Sequence, residues 1–266
     1  MRVDILGPLS AEVAGTSIVP SAAKPCQILA LLALSNENLV TNSALFDELW
    51  ENDPPRSATT TLHTYIHQLR RKIDRALAGR GSALTSRDIL VTERGGYSLR
   101  LHGGTTDVRQ FQLLAQKGTA AFECGDFRTA AALLRDALAL WRGPVLSDIH
   151  AGQRLTLHAL SLEDARLAAL DRRIEADLRL GRHQEIVGEL RALCHQNPIN
   201  ENFAAHYMVA LYHSGRVAMA LQEFQRLRST LVTELGVEPA PRLRRLQRVI
   251  LSGGQPLDDR VLAKTA

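Results

Sequence analysis

One predicted helix in the first hundred residues carries polar side chains suited to contact with nucleic acid. Apolar residues from Leu62 to Leu77, spaced by 4, 3, 4 and 4 positions, mark one face of a helix that begins near Ser57. At 100° per residue, the opposite face carries Thr60, Thr64, His67, Arg71 and Arg75, with His63 and Gln68 beside it. All seven side chains can donate hydrogen bonds, and such groups contact base edges and phosphates in protein–DNA complexes.

Charge is sorted along the sequence around this helix. Six basic residues and one acid, Asp74, lie between Arg56 and Arg80, whereas the segment from Glu37 to Asp53 holds five acids and no base. The whole chain has a formal net charge of +4, which permits nucleic-acid binding without requiring it. A charged helix standing alone would simply be solvated, so the neighbouring elements decide what this face does.

These neighbours predict a winged helix-turn-helix unit. Short β-type stretches within residues 3–19 suggest a small antiparallel sheet, and a first helix opens at Lys24-Pro25. A second helix opens at Thr41-Asn42-Ser43, all of them N-cap residue types. Residues 93–96 form a glycine turn between two apolar stretches, which predicts a β-hairpin. In this layout the third helix is the recognition helix and enters the DNA major groove.

Beyond Asp107 the sequence predicts helices alone. Gly125, Gly181 and Gly215 are each followed by apolar residues at +5, +9 and +12. The last two glycines are 34 residues apart, the period of a tetratricopeptide helical hairpin, and the first spacing of 56 indicates an insertion. We expect a mainly α fold: an α+β winged helix over residues 1–104, a linker over 101–106, an all-α domain over 107–251 and a loose tail over 252–266.

Other chemistries lack their residue patterns. The longest apolar run, residues 28–34, is too short to span a membrane, so a cytoplasmic location is expected. His63 and His67 lie one turn apart, but no third ligand is predictable, and the three cysteines are widely separated. No Gly-x-Ser-x-Gly elbow or glycine-rich phosphate loop is present, so we expect neither an enzyme nor a cofactor or metal. The last helix carries Arg242, Arg244, Arg245 and Arg248, interpreted as a solvated face, with a second nucleic-acid patch as the alternative.

Two sets of segments resemble known domains. VTNSALFDELW at residues 40–50, SATTTLHTYIHQLRRKI at 57–73 and LVTERGGY at 90–97 resemble the OmpR-type winged-helix domain. GDFRTAAALLRDALALWRG at 125–143 and LGVEPAP at 235–241 resemble the bacterial transcriptional activation domain. In this order, over residues 2–250, the pair resembles the Streptomyces antibiotic regulatory proteins. No phosphoacceptor receiver domain and no nucleotide-binding domain are expected, since no Gly-x-x-x-x-Gly-Lys-Ser/Thr occurs.

The resemblance implies specific contacts with DNA and with RNA polymerase. The implied DNA contacts are Thr60, Thr61, His63, Thr64, His67, Gln68, Arg70 and Arg71 in the third helix, and Thr92 and Arg94 in the wing. Arg70, about 80° from the apolar stripe, is predicted to clamp a phosphate. Arg56 and Lys24, near helix starts, are further phosphate candidates. The implied contact with RNA polymerase, chiefly its sigma subunit, is the loop formed by Glu51, Asn52, Asp53, Pro54 and Pro55.

The sequence thus predicts a sequence-specific transcriptional activator. The resemblance implies direct-repeat sites on double-stranded DNA, a homodimer or cooperative oligomer on that DNA, and control of an antibiotic biosynthetic gene cluster. A nucleoid-associated location in the cytoplasm follows from the same reading. The main rival is a helical-repeat adaptor that docks proteins without sequence-specific DNA binding; a helical-repeat enzyme has no positive feature in its favour.

Overall fold

The computed structural model describes residues 1–51, 53–78 and 84–254. In chain order, its elements are β1 (Arg2–Asp4), β2 (Ser10–Val13), β3 (Thr16–Ser17), α1 (Ala23–Leu34), β4 (Val40–Thr41), α2 (Asn42–Trp50), α3 (Ala58–Leu77), α4 (Ser86–Ile89), β5 (Leu90–Glu93), β6 (Gly96–Leu99), β7 (Thr105–Thr106), α5 (Asp107–Glu123), α6 (Phe127–Ala139), α7 (Gln153–Arg179), α8 (His183–Gln196), α9 (Glu201–His213), α10 (Val217–Leu235) and α11 (Pro241–Leu251). The predicted fold class, a winged helix with small sheets followed by helices, is confirmed.

The chain divides into two compact units. The first unit comprises Met1–Gln116 and Asp136–Leu167, and the second comprises Lys117–Arg135 and the described residues from Ala168 onward. The first unit therefore holds the described part of the predicted winged helix together with residues 105–116 and 136–167. The proposed boundaries at 1–104 and 107–251 remain a prediction.

The N-terminal sheet corrects the predicted linker. Its strand order is β3-β2-β1-β7, with β1 antiparallel to β2 and parallel to β7. Residues 101–106 are therefore not a linker, because Thr105 and Thr106 pair with Arg2 and Val3. Thr106 is only 2% exposed, and the amide of Leu101 donates to Glu37 at 2.7 Å. A two-residue strand is too short to show alternation, and its glycine- and threonine-rich surroundings have the composition of a loop.

The helix-turn-helix elements form where the sequence predicts them. Pro25 lies in the first turn of α1, where a missing amide hydrogen leaves no bond unmade. Thr41 is the N-cap of α2, and its hydroxyl accepts from the amide of Ala44 at 3.2 Å. The wing is the predicted hairpin of β5 and β6, and β4 joins it in a second sheet with order β4-β6-β5. The sequence reading missed β4 and the single-turn helix α4.

The second unit is built on the repeated glycines. Gly125, Gly181 and Gly215 all have φ between +74° and +79°, a left-handed conformation that ends one helix before the next begins. The apolar residues that follow each glycine are buried or pack against the core, as the repeat predicts. Helix α11 closes the unit through Leu243, Leu246 and Ile250. The predicted loose tail lies outside the described residues from position 255 onward.

Candidate nucleic-acid interface

Helix α3 is fixed by one buried stripe and presents its polar face to solvent. Leu62, Ile66, Leu69 and Ile73 are each no more than 2% exposed. The exposed side chains of the helix are Thr59, Thr60, His63, Thr64, His67, Gln68, Arg71, Asp74 and Arg75. Burial of the stripe holds the helix in register without using any of these polar groups. The structure thus leaves six of the eight predicted α3 contacts exposed; Thr61 and Arg70 are half-buried.

Arg70 connects α3 to the wing. Its Nε and Nη2 atoms donate to the carbonyl oxygen of Leu90 at 3.2 and 2.7 Å, and Nη2 also donates to the hydroxyl of Thr92 at 2.8 Å. Burial lowers the pKa of this guanidinium. Arg70 and Thr92, both predicted DNA contacts, are therefore bonded to each other. Contact of Arg70 with phosphate and of Thr92 with DNA remains a prediction. The bond between the two side chains gives Arg70 a second role, which is to position the wing.

The wing turn lies beside the start of α2. Glu93 pairs with Gly96 across the hairpin, which leaves Arg94 exposed in the turn. The carbonyl oxygen of Gly95 accepts from the amide of Asn42 at 2.8 Å. A side chain on Gly96 would collide with the backbone of Val40, so only glycine allows this close approach. These contacts hold Arg94 on a fixed turn.

A groove beside α3 adds residues that the sequence reading missed. It has a volume of about 340 Å³ and is lined by Pro20, Ser21, Ala22, Gln68, Arg71, Lys72 and Arg75. Ala22, which lines the groove, is the N-cap of α1 and makes no side-chain cap hydrogen bond. Lys72 is half-buried and belongs to the same basic run as Arg71. A basic residue next to two predicted contacts was the available signal for Lys72.

The two weaker phosphate candidates occupy different settings. The ammonium of Lys24 lies 4.8 Å from the centre of the Trp50 ring, a cation–π contact between α1 and α2. Arg56 is exposed in the turn before α3. The contact with Trp50 thus positions the side chain of Lys24.

The predicted polymerase loop is an exposed turn between α2 and α3. Glu51, Asp53, Pro54 and Pro55 are all exposed, and Asn52 lies outside the described residues. The amide of Glu51 donates to the backbone carbonyl oxygen of Asp47 at 3.0 Å. The amide of Asp53 donates to the carbonyl oxygen of Trp50 at 3.0 Å. Glu51 has φ of +54°, a strained value for a residue with a side chain.

Glu48 joins helix α2 to the start of α7, a contact that the sequence did not predict. Glu48 is 2% exposed, and its carboxylate accepts from the amides of Gly152, Arg154 and Leu155 at 2.6, 3.0 and 3.0 Å. These are the free amides at the start of α7, so Glu48 caps that helix. The neighbouring Asp47 pairs with Arg154 at 2.9 Å. Sequence showed Glu48 only as one of five local acids.

The described residues hold neither a group of metal-ligating side chains nor a membrane-spanning helix. Within residues 1–51, 53–78 and 84–254, no group of three or more His, Cys, Asp or Glu side chains is placed to hold a metal ion. No helix in the same ranges is long and apolar enough to cross a membrane.

Comparison with known proteins agrees with this arrangement. Residues 16–99 match the family described as "Transcriptional regulatory protein, C terminal", and residues 106–251 match "Bacterial transcriptional activator domain". The chain is 47% identical to "Regulatory protein DnrI" of Streptomyces peucetius over 97% of its own length and 94% of that protein. It is 36% identical to "Regulatory protein AfsR" of Streptomyces coelicolor, of which it spans 25%.

A solved structure shares the fold. "Mycobacterium tuberculosis EmbR in complex with low affinity phosphopeptide" superposes with a TM-score of 0.87 at 33% identity, covering 97% of this chain and 66% of that one. Fold, exposed helix and matched domains together define a winged-helix transcription regulator, which is not an enzyme. The chain belongs to the Streptomyces antibiotic regulatory protein family, as the sequence predicted.

Proposed function

We propose that this regulator activates transcription by reading direct repeats in double-stranded DNA with α3 and by contacting RNA polymerase with the loop after α2. The observation that carries the proposal is the exposed row of donors on α3, fixed by a fully buried apolar stripe. Arg71 and Gln68 can make paired hydrogen bonds to guanine and adenine edges, and the hydroxyls of Thr60 and Thr64 can reach phosphates. Arg94 extends the contact from the wing turn.

The activation step rests on the loop after α2, whose residues 51 and 53–56 are exposed. Two adjacent prolines restrict its backbone, so a partner that docks on it loses less conformational entropy. Its acids Glu51 and Asp53 are exposed and can pair with basic groups of the polymerase, chiefly on its sigma subunit. The target genes, by resemblance to the family, belong to a secondary-metabolite biosynthetic cluster.

Binding to duplex DNA selected from a random library tests the reading step. Arg71→Ala should weaken binding by about 1–3 kcal/mol, and the affinity should fall steeply across a salt series because several phosphates are neutralised. The control is Asp164→Ala, an exposed change on α7 that should leave affinity unchanged. Equal losses from both variants, or binding without sequence preference, would favour the adaptor function instead.

The activation step is tested on the same DNA with purified polymerase. The double variant Glu51→Gln, Asp53→Asn should reduce transcription while promoter affinity stays at the level of the unchanged protein. Unreduced transcription would mean that Pro54 and Pro55 only separate α2 from α3 and that the polymerase contact lies elsewhere.

A further inference from the structure

The second unit contains a groove lined by arginines that DNA reading by α3 does not use. We call it the arginine groove. It lies between α10 and α11, has a volume of about 670 Å³, and is lined by Phe224, Gln225, Arg228, Glu238, Pro241, Arg244, Arg245, Gln247 and Arg248. Its volume is within the range of ordinary ligand sites. Four guanidinium groups and one carboxylate give the lining a net charge of +3.

Arg228 and Glu238 form an ion pair within the groove. Both oxygens of Glu238 accept from Arg228 at 2.7 Å, a bidentate pair that lowers the pKa of Glu238. Within the described part of the chain, Arg244 and Arg248 form no ion pair and are both exposed. They lie one turn apart on α11, so their guanidinium groups are positioned for an extended anionic partner.

The packing of α11 does not use these arginines. Arg244 lies in the first turn, near the positive end of the helix dipole, where a cation is unfavourable, whereas Arg248 lies in the last turn, where a cation is favourable. Its folding needs are met by Leu243, Leu246 and Ile250, which are buried on the other side. Arg242 is also engaged elsewhere, since it donates to Asn202 at 3.1 Å. Arg244 and Arg248 are therefore exposed and available to an anionic partner.

We propose that the arginine groove binds an acidic segment of a partner protein, whose carboxylates pair with Arg244 and Arg248. The amides of Gln225 and Gln247 provide donors and acceptors for the peptide backbone, and Pro241 provides an apolar contact. A single-stranded nucleic acid fits this lining less well, because Phe224 is only 3% exposed and offers no free ring face on which a base could stack. This proposal does not depend on DNA binding by α3.

The test is fluorescence anisotropy of the full-length protein with a labelled peptide of alternating glutamate and alanine. The double variant Arg244→Gln, Arg248→Gln should weaken binding at least about fivefold, as expected for the loss of two exposed ion pairs. The same peptide with glutamine in place of glutamate should not bind. Arg191→Gln, an exposed change on α8, is the matched control and should leave peptide affinity unchanged. Both arginines of the double variant are exposed, so its thermal unfolding should match that of the unchanged protein.

Several results would overturn the proposal. An equal loss of peptide affinity in Arg191→Gln would mean that the peptide binds by net charge alone. Unchanged peptide binding by the double variant, accompanied by weaker binding of duplex DNA, would make the groove a second nucleic-acid contact. Displacement of the peptide by inorganic phosphate at the same concentration as the peptide would assign the groove to small phosphorylated ligands.

Discussion

The carboxylate of Glu48 accepts a hydrogen bond from the amide of Gly152 at 2.6 Å, although the two residues are 104 positions apart. The same carboxylate binds the next free amides of α7, those of Arg154 and Leu155. A side chain on Gly152 would collide with the backbone carbonyl of Glu48. The start of α7 is thus fitted against α2, the helix that precedes the proposed polymerase loop.

Replacing Glu48 should therefore destabilise the first unit. Glu48→Gln keeps the shape but turns an amide donor toward the amides of α7, and the expected loss is about 1–3 kcal/mol in the free energy of unfolding. Urea unfolding measures it. Asp47→Asn is the matched control, because it removes only a half-exposed pair with Arg154 and should cost less than about 1 kcal/mol. Equal small effects from both variants would show that the cap contributes little.

The bond between Arg70 and Thr92 predicts coupling that is independent of DNA. A double-mutant cycle with Arg70→Ala and Thr92→Val should give a coupling of about 0.5–1.5 kcal/mol in unfolding free energy without DNA present. Arg70→Lys should not restore DNA affinity, because an ammonium cannot reproduce the guanidinium fork to Leu90 and Thr92. Full rescue by lysine would instead indicate a direct phosphate contact.

Operator geometry follows from the proposed direct repeats, which two protomers would occupy in head-to-tail order. Two copies of α3 on one face of DNA need direct repeats about 10–11 base pairs apart, one helical turn. Inserting five base pairs should turn one protomer to the opposite face and abolish cooperative binding, as measured by titration of double and single sites. Cooperativity that survives the insertion would refute this arrangement and leave single-site binding intact.

A stacked histidine pair predicts pH-dependent stability of the second unit. The rings of His183 and His213 lie 4.4 Å apart at 14°, and burial lowers both pKa values, with the other ring adding to the shift of His183. The unfolded state then binds more protons, so stability is full above the unfolded pKa of about 6.5 and falls as the pH drops below it. Thermal unfolding from pH 7.5 to 5 measures this effect.

The histidine prediction has a control on α8, the helix that carries His183. His213→Gln should flatten the pH dependence, whereas His195→Gln, an exposed change on α8, should leave it unchanged. A profile that stays the same in His213→Gln would assign the effect to other groups.

Local patterns carried most of the predictable structure. The stripe of α3, the N-cap Thr41 and the three glycine turns all depend on residues a few positions apart, which periodicity and turn chemistry can detect. The strand Thr105–Thr106 and the cap by Glu48 could not be predicted this way, because their partners are about a hundred positions away.

In the candidate site, too, local features could be predicted from the sequence and tertiary contacts could not. Exposure of His67, Gln68 and Arg71 follows from the angular position of each residue on a helix, and the structure agrees. Arg70 was placed at the edge of the exposed face by the same rule, but whether an edge residue turns outward or toward the wing depends on the acceptors at Leu90 and Thr92. Those acceptors are supplied by tertiary structure.

The pairing of β1 with β7 has a consequence for folding during synthesis. Arg2 and Val3 leave the ribosome before their parallel partners Thr105 and Thr106, which follow roughly 5–20 s later at typical elongation rates. The amide of Arg142, which donates to the carbonyl oxygen of Leu6 at 2.7 Å, follows later still. One edge of β1 therefore stays open while the residues between Val3 and Thr105 are made. A nascent chain stalled before Thr105 should expose that edge to chaperones and to other nascent chains.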